Sequence, residues 1–147
     1  MNIRPAEIAD LKKLAKLFDH YRQFYRKSSD LDAATKFLSE RLENGDSEIF
    51  VAEKDDKVLV GFVQLYPLFS STRMKKMWLL NDLYVDPKAR GQHVSVQLIE
   101  RAKQLAHDSN ACGMYLETEK TNKIGNNLYP KTGFDLYDSV NFYEWNT

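Results

Sequence analysis

The stretch that decides the fold runs Leu80-Asn-Asp-Leu-Tyr-Val-Asp-Pro-Lys-Ala-Arg-Gly-Gln-His-Val-Ser-Val-Gln-Leu98. Its first part is rich in strand-forming residues and ends at Asp86-Pro87, and a basic turn follows that ends at Arg90-Gly91. Apolar residues then return at helical spacing, at Val94, Leu98, Ala102 and Leu105. The stretch therefore predicts a strand, a basic loop and a helix.

The junction between this loop and the helix has the features of an anion site. The amide groups that open a helix have no partners within it, and together with the helix dipole they favour negative charge. Arg90 and Gly91 stand directly before the helix, where a cation and a small, flexible residue suit a phosphate group. The sequence therefore predicts a phosphate site at the start of this helix.

Length and composition indicate one domain, residues 1–147, with a core of its own, since 43% of the 147 residues are hydrophobic. Basic and acidic residues balance at 21 each, which gives no indication of a nucleic-acid or membrane partner. The N-terminus has no export signal, and no apolar run approaches ~20 residues. Cys112 has no intrachain partner for a disulfide and is interpreted as a small residue entering a buried strand rather than a reactive thiol. We therefore expect a cytoplasmic protein.

The first half of the chain predicts a short strand, two amphipathic helices and a hairpin. The predicted elements are an extended Ile3-Arg4-Pro5, a helix from about Ile8 or Asp10, a helix from about Asp30 or Asp32 to Asn44-Gly45, and strands at 49–52 and 58–66. Pro67 is expected to end the last of these strands or to bulge it, because proline has no N–H for a ladder.

The second half predicts helices between strands and a short hairpin at the end. After the central strand, 77–85, and its helix come a strand at 113–118, a helix from Asn122 to Lys131 closed by Gly133, and strands at 134–137 and 141–145. The fold class is therefore α/β (α+β), with a mixed, mostly antiparallel sheet and about four helices. The aromatic cluster Phe142, Tyr143 and Trp145 beside these edge strands predicts a homodimer.

Two motifs accompany this order of elements: Val85-x-Pro87-x-x-Arg90-Gly91 and Asn122-x-x-Gly125-x-x-Leu128-Tyr129-x-x-x-Gly133-Phe134. Together with the order of the elements, they resemble the GNAT superfamily of acyl-CoA-dependent N-acetyltransferases over nearly the whole chain. The stretch from residues 60–62 through residues 82–85 and the segment from Asn122 to Tyr129 look most like the diamine acetyltransferase branch. The resemblance implies a sheet that splays at the central strand and direct transfer of an acetyl group from acetyl-CoA to a primary amine, with no covalent enzyme intermediate.

The resemblance also implies which residues bind acetyl-CoA. Backbone groups of the central strand would pair with the pantetheine amides, the loop and helix start would hold the pyrophosphate, an asparagine would bind the cofactor, and a tyrosine would lie near the thioester sulfur. In that order these residues are Leu83, Tyr84 and Val85; Arg90, Gly91, Gln92, His93, Val94 and Ser95; Asn122; and Tyr129.

His93 departs from the family pattern, which has glycine at its position so that the backbone can approach phosphate. Three interpretations compete: a tolerated substitution with intact backbone contacts, a histidine that itself contacts phosphate, and a weakened or lost cofactor site. Ser95 also departs from the pattern, but its small side chain interferes little.

The chemistry requires a group that accepts a proton, because an alkyl amine with a pKa near ~10.4 must lose one at a cost of roughly 4 kcal/mol at neutral pH. Asp82 is the nearest acidic candidate, and its alternative is a capped or salt-bridged residue at a strand bulge. Glu117 and Glu119 are weaker candidates. Tyr129 would hydrogen-bond the developing charge on sulfur, or else pack beside Phe134.

The acceptor is expected to be a small molecule, such as a polyamine or an amino acid, because the chain has no long insertion to hold a peptide. The expected pocket residues are Tyr21, Tyr25, Tyr66, Asn81 and Asp82, although the tyrosines of the first helix are also compatible with a plain core-facing stripe. Asn81 stands where the diamine branch has glutamate. No metal site is predicted. A non-catalytic acyl-CoA-binding module and an acetyltransferase acting on a protein amine remain as alternatives.

Overall fold

The computed structural model describes residues 1–147, which form two compact units, Met1–Leu116 and Glu117–Thr147. The first unit contains a five-stranded sheet in the order β1-β2-β3-β4-β5. Its strands are β1 (Asn2–Pro5), β2 (Glu48–Glu53), β3 (Leu59–Ser70), β4 (Lys75–Val85) and β5 (Met114–Tyr115). All neighbours are antiparallel except β4 and β5, which are parallel, so the predicted mixed, mostly antiparallel sheet is confirmed. The single domain remains a prediction.

Three helices pack on the sheet of the first unit, and one helix lies in the second unit. They are α1 (Leu11–Phe24), α2 (Leu31–Asn44), α3 (Val94–Asp108) and, in the second unit, α4 (Lys123–Lys131). The apolar sides of α1 and α2 share one core cluster with Phe62 of β3. None of the helices combines the length and the apolar character that crossing a membrane requires.

Glycine at position 61 lets α3 pack close to the opposite face of β3. A Cβ atom there would lie 3.3 Å from Leu98 Cδ1 of α3 and 2.9 Å from the Tyr84 carbonyl oxygen of β4. The contact with the Tyr84 carbonyl oxygen is shorter than Cβ atoms tolerate, so a side chain at this position would disturb the pairing of β3 with β4. The contact with Leu98 is tight as well, so glycine also leaves room for α3.

The ends of α2 lie where the sequence predicts them, because both are set by local chemistry. Asp30 Oδ1 accepts a hydrogen bond from the Ala33 amide at 3.0 Å, which caps the first turn. Gly45 ends the helix in the left-handed conformation, with φ +60°, which glycine adopts without a steric penalty.

Pro67 neither ends nor bulges β3, contrary to the prediction. The strand continues to Ser70, and Pro67 is paired with Trp78 of β4. The pairing of β3 with β2 has already stopped at Leu65, so Pro67 lies where β3 has a neighbour on one side only. A residue without an N–H is tolerated at such an edge position.

The prediction of three full strands after α3 is also wrong. The strand expected at 113–118 is reduced to β5, and the two strands expected at 134–137 and 141–145 do not form. The second unit has α4 as its only regular element, so the alternating tail sequence has no ladder partner within it. Alternation predicts the conformation that a segment favours, but a strand also requires a neighbouring strand.

An ion cluster joins β1, β2 and the turn before α1. The Arg4 guanidinium donates two hydrogen bonds to the Asp10 carboxylate, at 2.7 and 2.9 Å, and also donates to Glu53. Both acidic side chains are nearly buried. Hydrogen bonds from Arg4 lower the pKa of Asp10 and of Glu53, which keeps both carboxylates ionised in the fold.

Arg4→Met is therefore expected to lower the free energy of unfolding at neutral pH several times more than loss of a surface ion pair does, because it leaves the nearly buried Asp10 carboxylate without its cation and leaves Glu53 with only the more distant Lys57. A lowered pKa stabilises the fold above the unfolded value and loses that contribution as the pH falls through the folded value. The difference between variant and wild type should thus shrink in acid, below pH ~4. Urea unfolding at neutral and acidic pH measures both effects.

The matched control is Lys103→Met, which removes a surface ion pair with Glu100 at 2.8 Å. Exposed pairs contribute little, so this change should cost less than about 0.5 kcal/mol at either pH. Equal losses in the two variants would contradict the structural role of Arg4.

Candidate active site

The centre of the site is the half of β4 that pairs with β3 on one side and with no strand on the other. The pairing of β4 with β5 consists of Trp78 with Met114 and Leu79 with Tyr115 and then stops. Residues 80–85 continue as a strand that is paired with β3 alone. Their outer edge is therefore free of strand partners and can receive an extended ligand that carries amides. The splay that the family resemblance implies is present.

A β-bulge lies at the point where β4 leaves β5. Asp82 is opposite Gln64 and Leu80 is opposite Leu65, so Asn81 is an extra residue without a partner on β3. Such a bulge bends the strand and reorients the side chains around it. Here it leaves Asn81 exposed and directs the next side chain, Asp82, into the protein, where 3% of it is exposed.

The Asp82 carboxylate is bonded to amides and a phenol, and no cation is among its hydrogen-bond partners. Gln64 Nε2 donates to Oδ2 at 2.7 Å, and Asn81 Nδ2 donates to Oδ1 at 3.1 Å. The Tyr21 hydroxyl is also hydrogen-bonded to it. Burial raises the pKa of Asp82 above its ordinary value, and the three hydrogen bonds oppose that rise without cancelling it. The group is therefore shifted towards the range in which it can exchange protons.

Two tyrosines, Tyr21 and Tyr66, lie near this carboxylate. The Tyr21 hydroxyl also lies 3.3 Å from the Asn81 carbonyl oxygen, and the Tyr21 and Tyr25 rings meet edge to face with centroids 5.2 Å apart. Burial, followed by the charge of Asp82, raises the pKa of Tyr66 to about 12. The structure therefore brings the predicted pocket residues Tyr21, Tyr66, Asn81 and Asp82 together. Tyr25 is linked to this group by the contact of its ring with the Tyr21 ring.

The loop before α3 has the backbone shape that a phosphate site requires. Gly91 has φ +77°, and His93, the residue before the first turn of α3, has φ +58°. No side chain caps this end of α3, and its first turn contains no acidic residue. The first amides of the helix are thus without a competing carboxylate, which fits the residues to the pyrophosphate of acetyl-CoA. Arg90 Nε donates to the Val85 carbonyl oxygen at 3.3 Å, which holds the loop against β4.

His93 adopts the left-handed backbone conformation that glycine would adopt at its position, and its side chain is exposed. The left-handed conformation at this position is thus formed without glycine. His93→Gly is therefore expected to change the affinity for acetyl-CoA by less than about threefold, within ~0.7 kcal/mol. Isothermal titration with acetyl-CoA measures this. A tenfold gain would indicate that the imidazole crowds the site, and a tenfold loss would indicate that it contacts phosphate.

In the second unit, Asn122 and Tyr129 lie one above the other on α4. Asn122 caps the helix, because its Oδ1 accepts from the Gly125 amide at 3.1 Å and its Nδ2 donates to Thr118 Oγ1 at 2.9 Å. The Tyr129 ring packs edge-on against Phe134, with centroids 5.9 Å apart. Position 125 requires glycine, because a Cβ atom there would lie 2.7 Å from Asn122 Nδ2 and 3.2 Å from the Tyr129 ring.

Gln64 and Ser47 belong to the site but were not among the residues that the sequence singles out. Gln64 is fully buried and bridges Asp82 to the Ser47 hydroxyl. One signal was available, because Gln64 is the single polar residue within the apolar run of β3 from Leu59 to Leu65. An isolated amide in a buried strand needs hydrogen-bond partners, and these lie across the sheet.

Comparisons with known proteins agree with this geometry. A profile of the acetyltransferase (GNAT) family matches residues 13–134. The uncharacterized N-acetyltransferase YhfO of Bacillus subtilis strain 168 is 44% identical over 135 residues, which cover 92% of this chain and 90% of that protein. A crystal structure described as that of a probable acetyltransferase superposes with a TM-score of 0.94 at 38% identity, covering 100% of this chain and 98% of the other.

A more distant structure shares the fold. The aminoglycoside N-acetyltransferase AAC(6')-Iy, solved in complex with CoA, has a TM-score of 0.83 at 22% identity and covers 99% of this chain and 95% of its own. The chain therefore belongs to the GNAT family of acetyltransferases. It is an N-acetyltransferase of the class that uses acetyl-CoA.

Proposed function

We propose that the protein transfers the acetyl group of acetyl-CoA to a primary amine of a small molecule, by direct attack of the amine. The observation that carries this proposal is the Asp82 carboxylate, buried without a cation beside the unpaired half of β4. A carboxylate in this state attracts an ammonium group and can then accept its proton.

The unpaired edge of β4 and the start of α3 are proposed to hold acetyl-CoA. The free edge of residues 83–85 would pair with the pantetheine amides, and residues 90–95 would surround the pyrophosphate at the start of α3. The positive φ values of Gly91 and His93 and the uncapped helix support this assignment. Asn122 is assigned to the cofactor by the family resemblance, although both ends of its amide already have partners within its own unit.

The reaction requires the acceptor nitrogen to lose a proton and the sulfur to leave as a thiolate, which then takes a proton from solvent. Acetyl-CoA, when bound, supplies a thioester whose carbonyl carbon forms the new C–N bond as its C–S bond breaks. Asp82 would take the proton released by the nitrogen, directly or through water. Tyr129 would donate a hydrogen bond to the departing sulfur. An ordinary phenol is a weaker acid than a thiol, so Tyr129 would stabilise the thiolate rather than fully protonate it.

The surroundings of Asp82 favour a cationic acceptor. The faces and hydroxyls of Tyr21, Tyr25 and Tyr66 are suited to an ammonium group and its alkyl chain, and Asn81 offers an exposed amide for a neutral polar group. A single buried carboxylate balances the charge of one ammonium group. This supports monoamines and amino-group-bearing metabolites at least as well as polyamines. We further propose that the protein acts in the cytoplasm, where its one cysteine, Cys112, stays reduced.

The test is a thiol-release assay with acetyl-CoA against polyamines, amino acids and aminoglycosides, with each product identified by mass. We expect thiol release that depends on at least one of these amines. Binding of acetyl-CoA with no amine acetylated would instead indicate a non-catalytic module. Acetylation of a protein amine, with none of small amines, would overturn the proposed substrate class and leave the reaction class standing.

We also propose that the protein forms a homodimer through its tail. The side chains of Phe142, Tyr143 and Trp145 are each more than three-quarters exposed, which is unusual for large aromatic residues. The tail from residue 134 onward is also acidic, with Asp135, Asp138 and Glu144 and no basic residue. A second copy offers a complementary surface, because the β3–β4 turn exposes Phe69 and Met74 beside the basic residues Arg73, Lys75 and Lys76.

Light scattering after gel filtration is expected to give a dimer for the wild type and a monomer for the double variant Phe142→Ser, Trp145→Ser. A control variant, Ile124→Ser, changes an exposed apolar residue of α4 and should leave the dimer intact. A monomeric wild type at micromolar concentration would contradict the proposal.

A further inference from the structure

Gln64 is a buried amide with both ends bonded, and one of them contacts Asp82. Its Nε2 donates to Asp82 Oδ2 at 2.7 Å, and its Oε1 accepts from Ser47 Oγ at 3.0 Å. No part of the Gln64 side chain is exposed. It lies opposite Asp82 in the β3–β4 pairing, next to the bulge at Asn81.

The chemistry of these groups fixes the direction of the hydrogen bonds. An ionised carboxylate can only accept, so the amide must present its nitrogen to Asp82 and its oxygen to Ser47. The Ser47 hydroxyl, as donor, then holds the amide in this orientation. The result is a one-way chain in which Ser47 donates to Gln64 and Gln64 donates to Asp82.

The other groups facing Asp82 cannot replace this bond. Asn81 donates to the other carboxylate oxygen from the exposed side of the bulge, and Tyr21 of α1 adds a phenol. Tyr66 of β3 is neutral near Asp82, since burial and the charge of that carboxylate raise its pKa to about 12. The ion pair of Arg41 with Asp46, 2.6 Å apart, acts on Tyr66 and does not bond to Asp82.

We propose that Gln64, oriented by Ser47, is a positioning residue that holds the Asp82 carboxylate in place to receive the proton of the acceptor amine. The inference rests on the proposed function, because it assumes that Asp82 accepts this proton. It assigns no contact with substrate to Gln64. Its physical content is that a bond stronger to the charged form of Asp82 than to the neutral form keeps the charged form available at lower pH.

The consequence is a specific change in the pH dependence. Without the Gln64 bond, burial alone would raise the pKa of Asp82 further. Gln64→Met keeps the size of the side chain and removes the bond. We expect the acidic limb of kcat/KM to move to a pH about one unit higher, with the rate approaching that of the wild type at alkaline pH.

Variants of Ser47 test the orienting step. Ser47→Ala is expected to shift the limb in the same direction but less, and Ser47→Thr, which keeps the hydroxyl, is expected to restore the wild-type profile. Gln104→Met is the control, since this exposed glutamine on α3 bonds only to Asp108 and should change nothing. Circular dichroism and thermal unfolding check that each variant is folded.

A second measurement does not depend on turnover. In protein labelled with carbon-13 at aspartate carboxyls, the titration of Asp82 should move to higher pH in Gln64→Met. A loss of rate that is equal at every pH, or an unmoved titration of Asp82, would overturn the positioning role. A moved titration in a protein that acetylates no amine would instead show that the proposed function is wrong while the coupling between Gln64 and Asp82 stands.

Discussion

Asp82→Asn is expected to lower kcat/KM for the acceptor amine by about 100-fold or more, the usual range for the loss of a general base. The asparagine has the same shape and can still accept from Gln64, but it cannot take a proton. The acidic limb of the pH profile, which the ionisation of Asp82 produces in the wild type, should disappear. Steady-state kinetics across pH, with acetyl-CoA at saturation, measure both changes.

The same substitution should not destabilise the fold. Burial raises the pKa of Asp82, so the folded chain holds this proton more tightly than the unfolded chain does. Stability from such a group is present below the unfolded pKa and is lost as the pH rises through the folded pKa. At neutral and alkaline pH the ionised carboxylate therefore costs stability, and Asp82→Asn should leave the melting temperature equal or higher.

Glu117→Gln and Glu119→Gln are the matched controls, because they neutralise the two weaker candidates for the same role. Both side chains are exposed. Each variant should keep most of the wild-type activity. A loss in either that equals the loss in Asp82→Asn would move the proton acceptor away from β4, and a drop in melting temperature for Asp82→Asn would show that Asp82 is mainly structural.

Tyr129→Phe is expected to lower kcat by about 10- to 100-fold with little change in the affinity for acetyl-CoA. A hydrogen bond to a charged group contributes about 1.5–3 kcal/mol, and this one is proposed to form as charge develops on sulfur. The phenylalanine ring keeps the edge-on contact with Phe134, so the packing of the second unit should survive. Single-turnover kinetics and calorimetric titration separate the two effects.

Tyr137→Phe is the control for this change, since Tyr137 belongs to the same unit and is 75% exposed. It should behave as the wild type. An unchanged rate in Tyr129→Phe would leave this residue with its packing role alone. An equal loss of rate and of acetyl-CoA affinity would assign the hydroxyl to binding of the cofactor rather than to the chemical step.

The features that the sequence predicted well are those fixed by neighbours along the chain. The cap at Asp30, the stop at Gly45 and the turn that leads into α3 each depend on residues a few positions apart. The family motifs around Arg90 and Tyr129 are also local, which is why they could be recognised without a structure.

The features that were missed depend on pairing between distant segments. Pro67 is accommodated because β2 ends its pairing early, and that end is a property of two strands rather than of the proline. The contact of Gln64 with Asp82 depends on register, and the bulge at Asn81 sets that register. A shift by one residue would place Gln64 on the other face of the sheet. The strands expected in the tail failed for the same reason, since their alternation says nothing about a partner.

The early end of the pairing between β4 and β5 leaves an edge of main-chain groups without a strand partner, which is the edge proposed to bind the pantetheine amides. Every residue has the same N–H and C=O groups, so the partly exposed side chains of Leu83 and Val85 can change without altering what this edge presents to an amide. Tolerance to substitution should accordingly be high at these two positions and low at Tyr84, which is buried in the core, and at Gly61 and the bulge, which maintain the shape of the strand. A site made of main-chain groups can thus keep its function while the side chains along it vary.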